Sequence, residues 1–187
     1  PYTLTINNTD DLSAINGVVS GTGALVKKGS GTLSLNGDNT YSGTTSVNAG
    51  TLKLGHVNAL GEAIAGSGTT VGANGALDLN QLSVTEPVTV AGGRILNGVL
   101  AGDMSLTADS TIEAAAGSSL TLSGDITGNF GLTFSGGGVI TLSGDNTFTG
   151  ETVISSGTVV VASNTGLGSA AGGTTLASGA TLDLAGV

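Results

Sequence analysis

One segment of the chain repeats itself without a gap. Gly29–Gly50 reads GSGTLSLNGDNTYSGTTSVNAG and Gly136–Gly157 reads GGGVITLSGDNTFTGETVISSG, at an offset of 107 residues. Matched pairs include Gly37/Gly144, Asp38/Asp145, Asn39/Asn146, Thr40/Thr147, Tyr41/Phe148, Gly43/Gly150 and Gly50/Gly157. The likeness continues through Thr51-Leu52-Lys53-Leu54 against Thr158-Val159-Val160-Val161, and through Leu60-Gly61 against Leu167-Gly168. Ala76-Leu77-Asp78-Leu79 finds Thr181-Leu182-Asp183-Leu184 once short indels are allowed. Internal repetition of this kind marks architectures in which each unit buries its apolar face only against its neighbours. It suggests one solenoid over 1–187, with superunits at approximately 17–80 and 124–187 and a divergent stretch 81–123 between them.

Within each superunit the finer grain is a short strand carrying an apolar-x-apolar doublet. These occur at Leu33/Leu35, Leu52/Leu54, Leu77/Leu79, Val88/Val90, Met104/Leu106, Leu120/Leu122, Ile140/Leu142, Val159/Val161 and Leu182/Leu184. Alternation at period two means a strand with one buried face. Thr and Ser fill the outer positions, where they tolerate the strand and keep the surface wet. Asn16-Gly17, Asn36-Gly37, Asn74-Gly75 and Asn97-Gly98 are expected to supply corners with positive φ. Leu33 to Leu52 and Ile140 to Val159 are each 19 residues, and Leu120 to Ile140 is 20. A coil of roughly 20 residues gives about nine coils, and at about 4.8 Å per coil a rod roughly 40–45 Å long. The reading is all-β: a right-handed, single-stranded parallel β-helix. Leu33 then lies on Leu52, and Ile140 on Val159, in one narrow aliphatic column. Antiparallel sandwiches use similar strands, but near-identical stacked segments favour the helix.

Composition agrees. With 3% aromatic residues the chain lacks the bulk that fills a globular core, whereas a thin aliphatic core needs none. Four basic residues against 13 acidic ones, a net charge of −9, exclude a nucleic-acid binder and disfavour docking on anionic membrane. The scattered acids serve solubility. Without cysteine there is no disulfide, thiolate metal site or cysteine nucleophile. The chain begins at Pro1 with no initiator Met and no signal peptide, and reads as a piece of a longer protein.

The stretch from Leu25 to Leu54, LVKKGSGTLSLNGDNTYSGTTSVNAGTLKL, closely resembles the passenger-associated transport repeat of autotransporters, the type V secretion system. The second copy, Leu132 to Val161, departs at the lysine pair, where Ser135 and Gly136 are expected. The resemblance implies a right-handed β-helical passenger exported across the periplasm and through an outer-membrane β-barrel to the cell surface. It also implies that the repeats serve secretion. The implied partners are neighbouring passenger coils and the C-terminal barrel of the parent protein. Self-association or a host surface is the alternative, with no nucleic acid or small-molecule substrate.

The repeated corner Gly-Asp-Asn-Thr-aromatic-x-Gly invites a structural reading. Gly37 and Gly144 turn the chain where a Cβ would clash, and Asn39 and Asn146 bond to neighbouring backbone. Tyr41 and Phe148 pack at a corner or between coils, and Phe at the second site makes the hydroxyl dispensable to the fold. His56 is the single histidine and has Ser163 as its counterpart, so a surface loop is expected and a catalytic role is not. Asp38 and Asp145 sit in repeated corners, and Asp78 and Asp183 point outward between doublet leucines, unlike the clustered carboxylates of glycan-cleaving β-helices. Gly136-Gly137-Gly138 continues into Val139-Ile140 with no Asp, so the calcium-binding nonapeptide is absent, as is an EF-hand loop. No phosphate-cradling loop is present either. Lys27-Lys28 is expected at a solvated strand end. No catalytic, metal or cofactor site is expected, and the function is structural: a stalk assisting secretion, with adhesion as the alternative.

Overall fold

Short strands with one apolar side must hide that side. A chain that returns every 20 or so residues does so by stacking on itself. The computed structural model describes residues 2–11, 13–64 and 67–187. The protein is an all-β parallel solenoid of about nine turns, with no helix among those residues. Every pairing between its described strands is parallel, and one isolated antiparallel bridge joins Gly72 to Gly92.

Each turn visits three faces in the same order. The first face stacks Leu4–Asn7, Leu25–Lys28, the starts of Thr45–Leu54 and Thr69–Asp78, then Val88–Ala91, Met104–Ala108 and Ile126–Gly128. The second face stacks Ser13–Ile15, Thr32–Leu35 and the ends of the same two long strands. It continues through Arg94–Leu96, Ser110–Ala114, Leu132–Gly136, Thr152–Ile154 and Thr174–Leu176. The third face has two sheets. One joins Ser20–Gly21 to Thr40–Tyr41, and the other runs from Ser83–Val84 through Gly98–Leu100, Ser119–Leu122, Val139–Leu142 and Thr158–Val161 to Thr181–Leu184. Between those sheets the third turn passes as a loop, and Glu62 N–H reaches back to the Tyr41 carbonyl at 2.9 Å.

Register aligns the doublets into ladders. On the second face Leu33, Leu52, Leu77, Ile95, Ile112, Phe134, Ile154 and Leu176 form one unbroken column. On the third, Leu120, Ile140, Val159 and Leu182 form another. The two expected stacks both exist, but on adjacent faces rather than in a single column. A 107-residue offset amounts to about five and a third coils of this size. The second copy is therefore set about a third of a turn around the axis from the first: Leu132 shares a face with Thr32–Leu35, and not with Leu25.

The Asn-Gly corners need a correction. Only Asn97-Gly98 has positive φ, 43° and 137°. Gly17, Gly37 and Gly75 do not. At Gly75 a Cβ would instead land on the Val47 carbonyl of the previous coil. Close approach of stacked backbones, not handedness of the corner, selects that glycine.

Because Leu52 is fully buried between Leu33 and Leu77, Leu52→Ala is expected to cost about 2–5 kcal/mol in urea unfolding. Lys53→Ala, on the outward side of the same strand, is expected to cost less than about 0.5 kcal/mol. Equal losses at both positions would contradict the alternation.

Candidate functional site at the repeated corner

Asparagine carries the same donor and acceptor as a peptide group, so it can stand in for a strand where the chain turns. Asn39 does this across three coils. Its Oδ1 accepts from Val19 N–H at 2.8 Å, and its Nδ2 donates to the Ala59 carbonyl at 2.6 Å. Asn146 repeats the arrangement with Ile126 N–H at 2.9 Å and the Gly166 carbonyl at 2.7 Å. Both side chains are buried, at 2% exposure.

The other repeated residues close the coil around this bridge. Asp38 and Asp145 lie beside it on the surface: Asp38 accepts from Asn58 Nδ2 at 2.8 Å, and Asp145 from Ser163 Oγ at 2.8 Å. Thr40 and Thr147 are exposed. A Cβ at Gly37 or Gly144 would fall on the Gly17 or Gly124 carbonyl, and one at Gly43 or Gly150 on the preceding coil's backbone. Gly50 and Gly157 have φ of 68° and 76°, a conformation that a side chain would strain. Tyr41 and Phe148 are buried, and Gly61 and Gly168 of the next coil lie against their rings, which accounts for the repeated Leu-Gly step. The Tyr41 hydroxyl pairs with Thr45, and burial holds the phenol well above its ordinary pKa.

Two buried ionisable groups lie outside the repeated motif. Lys27 is fully buried, in register between Ile6 and Val47. That corrects the expectation of a solvated strand end, which describes Lys28 alone. Its ammonium donates to the carbonyls of Lys28 (2.9 Å), Gly29 (2.8 Å) and Ala49 (3.1 Å), three donors on three acceptors. Burial lowers its pKa. The signal was present in the alternation, since Leu25-Val26-Lys27 puts Lys27 on the same side as Leu25. At the gap-free offset Lys27 corresponds to Phe134 and Lys28 to Ser135, correcting the placement of Ser135 and Gly136. Phe134 fills the same inward position between Ile112 and Ile154.

Glu86 is the second such group. It is 6% exposed and accepts from Thr69 Oγ1 at 2.8 Å. Here too the alternation carried the signal, since Val84-Thr85-Glu86-Pro87-Val88 puts Glu86 on the same buried side as Val84 and Val88. Remaining candidates stay apart. His56 Nδ1 accepts the Asn58 N–H at 3.2 Å and lies 3.7 Å from Asp38 Oδ1 at the surface. Asp78 bonds to Asn80 N–H at 2.9 Å, and Asp183 is exposed. Among the described residues no three such side chains are placed to hold a metal ion.

Conserved geometry here joins one coil to the next, and the class it defines is an architectural solenoid repeat. Comparison with known proteins is more particular. Residues 25–54 and 132–161 match the passenger-associated-transport-repeat family. The chain is 38% identical over 144 residues to a protein named Adhesin BmaC autotransporter, from Brucella suis biovar 1 (strain 1330). That match covers 75% of the chain and 4% of the relative's length. No solved structure matches the chain. The chain thus carries two passenger-associated transport repeats on a β-solenoid and is similar to a short part of an autotransporter adhesin, a likeness that points to a surface or secreted location and indicates no catalytic family.

Asn39→Ala strands the Val19 N–H and the Ala59 carbonyl in the interior and is expected to cost about 2–4 kcal/mol. Asn36→Ala removes a bond to Asn16 at the exposed edge and is expected to cost less than about 0.5 kcal/mol. Urea midpoints of the two variants test the difference.

Burial raises the Glu86 carboxyl from its ordinary 4.5 to about 7, while the Thr69 bond opposes the rise. The folded chain then holds a proton that the unfolded chain releases between those values. Stability from this group is complete below about pH 4.5 and is lost as pH climbs through about 7. Asp38 and Glu62 share the surface in front of it, and Tyr41 lies behind. After discounting for solvent near the side chain the loss is on the order of 2 kcal/mol. Glu86→Gln is expected to flatten that part of the profile, and an unchanged slope between pH 5 and 8 would rule this out.

Proposed function

We propose that this segment is a non-enzymatic stalk whose coil-by-coil folding outside the cell promotes export of its passenger through the outer membrane. The supporting observation is the unbroken parallel ladder, in which each coil pairs only with the coil before it and the coil after it. A chain of this design folds as it emerges, since each new coil needs only its predecessor as template. Asn39 and Asn146 each tie their own turn to the one before and the one after, which opposes sliding back at those two points. The superunits 17–80 and 124–187 are then two lengths of the same ratchet. The partners in this reading are adjoining passenger coils and the parent's C-terminal β-barrel, reached by way of the periplasm.

The second reading is adhesion or self-association at the cell surface. The relative's name includes adhesin. On the first face Ser46, Thr70, Thr89, Ser105 and Thr127 form an outward row of hydroxyls in consecutive turns, uninterrupted by charge. Such a row suits hydrogen bonding along a second rod. A segment that stays monomeric in sedimentation, and whose display does not clump cells, supports the stalk over this alternative.

Deleting 132–161 from the full-length parent is expected to slow surface display and lower its yield, followed by protease accessibility on intact cells. Unchanged rate and yield would remove the export reading.

A further inference from the structure

Where the third turn leaves the third face, a groove opens with a volume of about 470 Å³. Asp38, Glu62 and Glu86 line it, with Val57, Leu60 and Ile64 as its apolar wall, and no Lys, Arg or His is among its lining residues. Val57 and Ile64 are 48% and 51% exposed, although the solenoid gains nothing from apolar groups there.

The internal repeat separates what the fold needs from what this groove adds. At the 107-residue offset Asp38 and Leu60 recur as Asp145 and Leu167. Val57, Glu62 and Ile64 become Asn164, Ser169 and Ala171. The coil closes in both copies, so the exposed valine, glutamate and isoleucine are not required by it. Glu86 adds a second observation. It is more than nine-tenths buried, one carboxylate oxygen is held by Thr69, and the other makes no hydrogen bond to the described residues and keeps its contact with solvent on the groove side.

We propose that this groove is a docking site for a lysine or arginine side chain presented by a protein partner. The aliphatic stem of such a side chain covers Val57, Leu60 and Ile64, and its charged end meets Glu62 and Glu86. The acidic lining has no internal cation to neutralise it, which supplies the charge complementarity. The site does not depend on the export reading, because it concerns the surface of the folded segment.

Titration of the isotope-labelled chain with Nα-acetyl-lysine amide and Nα-acetyl-arginine amide, with Nα-acetyl-norleucine amide as control, tests this by NMR. Saturable shifts are expected at the amides of 57–64 and 84–86 with both cationic probes and not with norleucine. Glu62→Gln, at an exposed position, is expected to weaken binding about tenfold, as befits loss of one charged contact, whereas Glu86→Gln is expected to abolish the gain in affinity that follows as pH rises through about 7 and Glu86 ionises. Equal shifts at Asp103, Asp125 and Asp145 would reduce the effect to general charge attraction and overturn the site. So would norleucine binding as well as lysine, or unchanged affinity in Glu62→Gln.

Discussion

Register between successive coils is the constraint on which the rest depends. A parallel ladder pairs every strand with its counterpart one turn earlier, so a side chain that suits one coil must also suit the next. Leu52 is buried because Leu33 lies below it and Leu77 above. The same constraint explains the repeat. Coils meeting nearly the same neighbours need nearly the same corners, and a Cβ at Gly37 or Gly144 meets the same kind of carbonyl.

Asparagine and lysine satisfy the backbone where the ladder bends. At a corner peptide groups lose their strand partners, and leaving them bare inside the protein is costly. Asn39 and Asn146 replace a missing peptide with a side-chain amide, and do so at both copies with the same donor and acceptor positions. Lys27 supplies three donors from within the core, whereas Phe134 fills the matching space with an aromatic ring. One position thus accepts either a buried cation or an apolar ring, so the repeat constrains volume and side more tightly than polarity.

The third-of-a-turn rotation between copies has a consequence for the surface. Equivalent corners point in different directions around the axis, so the two repeats do not build one continuous functional stripe. Shared residues serve the coil. Individuality lies where the copies diverge, and the groove beside Val57, Glu62 and Ile64 is such a place. A thin solenoid suits this division, because changing an outward residue leaves the inward column intact.

Sequence alone determined the β-solenoid, its repeat of about 20 residues, the inward side of each doublet and the bridging asparagines, because all of these recur locally at fixed spacing. Period-two alternation also held the information that Lys27 faces inward, though charge argued the other way. Tertiary structure decided what local pattern does not encode. Which face a doublet joins depends on summed corner lengths, and these place Leu33 and Ile140 on different faces. Likewise the opening beside Glu86 exists only because turns distant in sequence come together, and although alternation with Val84 and Val88 already put Glu86 inward, no spacing within a single turn records that meeting.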